Sequence, residues 1–229
     1  MSGRKFIAAW LMVMAHTALP AFSQSGTAAP TDSPEPEAKR LLGIIPNFKT
    51  SPTLQNYKPL TTREKFSLAS QDAFDRGTVA LAVLFAAQGQ LGNGNRSFGQ
   101  GTEGFAKYFA ASYTDYFIGD YMTEGIFPTL LRQDPRYFRR GKGSGLSRLG
   151  YAAGQIFWTH TDSGGAQFNY SEVVGNSTAV AISMAYYADN RTPSDAVSKL
   201  GVQLGVDMAS NILKEFWPDL SRKFKRRRR

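Results

Sequence analysis

An all-α fold is what this sequence predicts, and three observations carry the prediction. Apolar residues recur at three- and four-residue spacing over five separate stretches. Capping sequences open several of those stretches, and no stretch alternates apolar and polar residues convincingly. The 229 residues include no cysteine, so side-chain packing rather than disulfide bonding has to hold the fold, and structural zinc through thiolates is excluded. The expectation is a single-domain bundle of about five Gly- and Ala-rich helices over 41–221, preceded by a signal peptide and a Pro-rich linker.

The chain begins with the order of a secretory leader. Arg4 and Lys5 precede the uncharged, mostly apolar run Phe6–Leu19, and Ala21 and Ser23 suit the positions before a cut at Gln24, with a cut after Ala21 as the alternative. The run is shorter than the roughly 20 residues that span a bilayer. A signal peptide over 1–23 predicts a chain exported to the periplasm or cell envelope. Residues 24–40, rich in Pro, Ser, Ala and acid, predict a disordered linker. Leu41–Leu60, punctuated by Pro46, Pro52 and Pro59, predicts extended chain laid over the domain.

The helices follow in order. Thr61 and Glu64 make a capping box, and Phe66, Ser70, Ala73, Gly77, Ala80 and Leu84 continue one helical face until the glycine-rich segment after Gly92. Asp72 and Arg76 stand four apart on it. Thr102–Leu131 predicts a second helix with an aromatic face and a kink or end at Pro128. Leu146–Trp158 predicts a third, and Ser171–Tyr187 a fourth with Ser171 as its cap. The fifth runs from Thr192 to Trp217, with Pro193 in its first turn and Pro218 as terminator. Gly150/Gly154 and Gly201/Gly205, with Gly175/Ala179 and Ala181/Ala185, predict close helix approach. No segment after the leader reaches 18 uninterrupted apolar residues. Short helices dipping into a membrane and a small β-barrel are the competing architectures.

Charge is distributed unevenly. Two of the 27 basic residues lie in the leader and seven in Arg222–Arg229, which leaves 18 in the body against all 18 acids. The body is neutral and the surplus is a tail. Within the body, Arg132, Arg136, Arg139, Arg140, Lys142 and Arg148 face only Asp134 between positions 132 and 148. The glycine-rich Gly141–Gly145 adjoins them and precedes a helix, so Arg136, Arg139, Arg140, Lys142 and Arg148 are the candidate anion-binding residues. The loop matches neither a Walker sequence nor a dinucleotide fingerprint, and no cofactor is expected.

Three further patterns are weighed for chemistry. His160 is the only histidine after the leader, which argues against a multi-histidine metal site. Asp162-Ser163-Gly164-Gly165 matches protease strings, but the upstream histidine and the second copy they need are missing, and a turn is the better reading. Asp120/Glu124, Glu172/Asn176 and Asp207/Asn211/Glu215 put carboxylates on helix faces. Such groups more often fix register against Arg76 or Arg136 than perform acid–base work.

Leu42–Asn47 (LGIIPN), Gln71–Gly77 (QDAFDRG), Tyr121–Glu124 (YMTE), Gln133–Phe138 (QDPRYF), Thr161–Gly165 (TDSGG) and Glu215–Asp219 (EFWPD) together resemble an uncharacterised family of exported bacterial proteins. The likeness spans most of Leu41–Leu220 and implies no activity, cofactor or catalytic residue. The functional expectation is a non-enzymatic envelope protein that meets anionic lipid or envelope polymer through its basic segment and tail, not nucleic acid. A second copy or an envelope protein is a further partner class. The alternative is an envelope hydrolase working through Glu124 with Glu172 or Asp207 in a bundle cavity.

Overall fold

The computed structural model divides into two units, Met1–Glu37 and Ala38–Arg229. The residues described belong to the second unit: strand positions 40–41, 45–46 and 50–51, and the continuous stretch 57–227 with side chains through 224. The expected signal peptide and all but the last residue of the expected linker lie outside the described residues.

The second unit is a mostly all-α bundle with little strand. Its helices are α1 (Thr62–Ala73), α2 (Arg76–Leu91), α3, α4 (Gly145–Gly154), α5 (Tyr170–Ser183) and α6 (Pro193–Arg227). Helix α3 runs Gly101–Asp120, widens into a π-helical turn at Tyr121–Ile126 and continues as Phe127–Leu131. Short strands complete it: β1 (Arg40–Leu41), β2 (Ile45–Pro46), β3 (Thr50–Ser51), β4 (Gln133–Asp134), β5 (Tyr137–Phe138), β6 (Trp158–Thr161) and β7 (Ala166–Phe168). They pair as β1–β2, as parallel β3–β5, and as an antiparallel β4–β6–β7 sheet.

Four local outcomes differ from the sequence reading, each for a physical reason. The first expected helix is two, because Asp75 caps the second half by accepting from Gly77 N at 2.6 Å. Asp72 and Arg76 therefore fall on different helices. The second helix reaches Leu131 as expected. Pro128, placed for a kink or an end, is met by a widened turn in which Phe127 N–H reaches back five residues to the Met122 carbonyl. The wider turn makes room for a ring that would collide with a carbonyl four residues back. The third helix stops at Gly154, short of the expected Trp158, which instead opens β6, and Asn169 rather than Ser171 caps α5. Ser171 N and Oγ instead bond Gln133 Oε1 at 2.7 and 2.6 Å, while Gln133 Nε2 holds the Phe168 carbonyl.

The fourth difference is Pro218, which lies inside α6 rather than ending it. The capping at the start of that helix is as expected, with Thr192 and Asp195 bonding reciprocally. Among the described residues no helix is long and apolar enough to cross a membrane.

The interior is built from small and polar groups. Ala69, Ala73, Ala82, Ala86, Ala111, Ala152 and Ala179 are buried, and the largest fully buried side chains include Lys65, Gln133, Glu124, Glu215, Asn95 and Asp134. The π turn is the hub on which α1 and α5 pack. Gly125 meets the Phe66 ring there, and Gly175 of α5 lies against Thr123.

The glycines divide sharply. A Cβ on Gly175 would stand 2.9 Å from Thr123 Cγ2 and 3.2 Å from the Met122 backbone, whereas one on Gly150, Gly154, Gly201 or Gly205 would meet nothing within 4 Å. Close approach in the described residues therefore uses Gly89, Gly125 and Gly175, not the two GxxxG pairs. Gly175→Ala is expected to cost about 1–3 kcal/mol through overpacking. Gly201→Ala is expected to be neutral or to gain up to about 1 kcal/mol through helix propensity. Urea denaturation of the two variants checks both.

Candidate functional site

The basic segment 132–148 is organised by carboxylates drawn from elsewhere. Asp134, fully buried on β4, receives Arg136 Nη2 at 2.6 Å, Arg136 Nε at 2.9 Å and the Arg136 backbone N at 3.0 Å. Tyr57 Oη lies 2.8 Å from Asp134 Oδ2, with the Thr161 carbonyl at 2.9 Å as its other acceptor. Burial and the Asp134 charge hold the Tyr57 phenol above its ordinary pKa.

The glycine-rich loop after β5 does bind an anion, and the anion is the protein's own Glu215. Its carboxylate accepts from Arg140 N at 3.0 Å, Gly141 N at 2.9 Å, Tyr137 Oη at 2.7 Å and Arg148 Nε at 2.7 Å. Arg148 also donates through Nη1 to Asp219 at 2.6 Å and through Nη2 to the Glu215 carbonyl at 2.7 Å, with Phe216 beneath its guanidinium. One guanidinium on α4 thus grips both sides of Pro218. That grip explains why α6 continues past a residue that cannot bond the Lys214 carbonyl.

Of the five candidate anion-binding residues, Arg136 and Arg148 are therefore committed to internal carboxylates. Arg139 is half-buried, and Arg140 and Lys142 are exposed. Asp219 also holds Arg222 at 2.7 Å, so the loop, the start of α4 and the basic end of α6 meet in one place. Two large apolar side chains are exposed in these elements, Leu146 in the first turn of α4 and Phe224 near the end of α6.

The Asp162–Gly165 string forms the β6–β7 turn, with Gly164 at φ +86° and its N bonded to the Thr161 carbonyl. Asp162 does not stand beside an active serine. Both its oxygens accept at 2.8 Å from Lys65, whose ammonium is buried and also bonds the Pro128 carbonyl. Ser163 Oγ pairs with Thr161 Oγ1 at 2.8 Å. His160 packs edge-on against Phe138 at 4.8 Å, and burial holds its imidazole below its ordinary pKa against the opposing pull of Asp134.

The helix carboxylates do not all gather in one place. Glu124 is buried in the π turn and lines neither cavity described below. Asn176 Nδ2 bridges Glu172 Oε1 at 3.1 Å and Asp207 Oδ2 at 3.4 Å. The crevice shared by Glu172, Asp207 and Arg136 is about 30 Å³, room for water alone.

A larger cavity of about 370 Å³ lies among α2, α3, α5 and α6, and Asp120 and Asp207 line it. On one wall Asp115 accepts from Tyr186 Oη at 2.6 Å, Tyr187 Oη at 2.8 Å and Lys199 Nζ at 2.9 Å, and Lys199 lies 3.5 Å above the Tyr187 ring centre. Sequence reasoning missed this cluster. The paired tyrosines in the turn after α5, 71 and 72 residues from Asp115, were the signal available.

Replacing Glu215 by Ala leaves Arg148 and two backbone amides without their acceptor. The expected loss is about 3–5 kcal/mol, the usual cost of breaking a buried pair from one side; a urea titration reads it. His160 predicts a pH dependence. Because its folded pKa lies below 6.5, the unfolded chain takes up the proton first as pH falls, and stability declines below that value. The wild type should lose more stability between pH 7.5 and 5.5 than His160→Gln does; equal losses would contradict the assignment.

No protein family, curated protein or solved structure matches the chain.

Proposed function

We propose that this chain is an exported, non-enzymatic cell-envelope protein that docks one end onto anionic lipid. The observation that carries the reading is the convergence at Asp219 and Glu215. These two carboxylates join the loop bearing Arg140 and Lys142, the first turn of α4 and the end of α6 that bears Arg222 and Lys223. Arg136 and Arg148 are consumed by internal acids and Arg222 pairs with Asp219, whereas Arg140 and Lys142 are exposed at this end.

Lipid is favoured over envelope polymer by Leu146 and Phe224, which are 80% and 57% exposed beside those cations. Basic groups with protruding apolar side chains suit an anionic headgroup layer over an acyl interior, and a hydrophilic polymer offers nothing for the apolar part. The export half of the reading rests on the leader pattern of 1–23.

Vesicle co-sedimentation tests it. Binding of the mature chain is expected to rise with the phosphatidylglycerol fraction and fall as salt rises. Each basic residue near the surface contributes roughly 1 kcal/mol, so truncation after Ser221 should weaken binding by at least about a hundredfold. Leu146→Ser should lower affinity while leaving the salt dependence unchanged. Undiminished binding by the truncated chain, or equal binding to neutral vesicles, would overturn the proposal, as would binding confined to anionic polysaccharide.

A further inference from the structure

We propose that the 370 Å³ cavity among α2, α3, α5 and α6 is a binding site for a small organic ammonium with an apolar body. Its polar lining is asymmetric. Four carboxylates border it (Asp115, Asp120, Asp195 and Asp207) against a single cation, Lys199. Lys199 is spent on Asp115, which two tyrosine hydroxyls also fill. Asp195 is spent on the capping of α6 through Thr192 N and Oγ1. What remains toward the middle of α6 is acceptor.

Gln203 and Asp207 stand one turn apart on α6, and both line the cavity. Gln203 Oε1 is buried and accepts from no donor, and Asp207 receives a single long bond of 3.4 Å from Asn176. Across from them Tyr116 and Asp120 stand one turn apart on α3 and line the same space. Burial, then the charges of Asp207, Asp120 and Asp115, push the Tyr116 phenol up. A ligand seated there must supply hydrogen-bond donors and positive charge.

The walls choose its other half. Phe85 and Tyr116 meet edge-to-face at 5.9 Å, and Tyr108, Val202, Val206 and Met184 extend the apolar lining. Aromatic faces next to acceptors attract alkylammonium groups, and the volume is that of a small-molecule site. No group of three His, Asp or Glu among the described residues stands close enough to hold a metal ion, which favours an organic cation over an inorganic one.

The test uses the mature chain with phenethylammonium and its neutral isostere 2-phenylethanol, followed by calorimetry and by NMR of the α3 and α6 amides. Saturable binding of the ammonium is expected, with the alcohol at least about tenfold weaker, as a charge-assisted bond to a carboxylate requires. Asp207→Asn should weaken the ammonium by a similar factor and leave the alcohol unchanged. Gln203→Leu, which keeps all charges, should weaken it less and serves if Asp207→Asn does not fold. Equal binding of alcohol and ammonium overturns the proposal. So does full ammonium affinity in both variants, or the absence of saturable binding.

Discussion

A carboxylate cut off from water must be surrounded by donors, and the meeting of α6 with β5, α4 and the loop between them depends on how Glu215 meets that demand. Its donors come from β5, from the loop after it and from α4, so one side chain of α6 gathers three elements at once. Burying this charge has a large desolvation cost. The cost is offset only because two backbone amides, a phenol and a guanidinium converge on it within 3.0 Å. Asp134 repeats the device with Arg136 and Tyr57, and in the Lys65–Asp162 pair the roles reverse, with the ammonium buried and the carboxylate partly exposed.

Such pairs matter more here because the apolar interior is thin. The core alanines let helices approach closely but bury little area apiece, and Ile156 is the one large aliphatic side chain among the largest fully buried groups. Directional bonds therefore decide which arrangement of the helices is adopted. The same economy leaves the wall between α3 and α6 incompletely filled, and the cavity with its surplus of acceptors occupies that space.

Local chemistry was legible in the sequence and long-range pairing was not. The Thr61/Glu64 box, the Thr192 start and the glycine stop at Gly92 each depend on residues within a few positions, and all appear as expected. Asp75 was hidden because a capping acid inside an apolar run looks like an ordinary polar interruption. Pro218 read as a terminator because the Arg148 guanidinium that bridges it sits about 70 residues earlier. The 141–145 loop suggested an anion cradle or a solvated connector. Its occupant, 74 and 75 residues away, was not legible. The β6–β7 hairpin is too short to show alternation, and the Asp115 cluster needs partners from the turn after α5 and from α6.

The Arg148 grip has one more consequence. Helix ends ordinarily fray, since their last carbonyls lack partners and their side chains touch little. Here the turn around Pro218 cannot unwind without pulling α4 away from it, because both flanking carboxylates share a single guanidinium. Amide protons of that turn should consequently exchange with the slow kinetics of the interior.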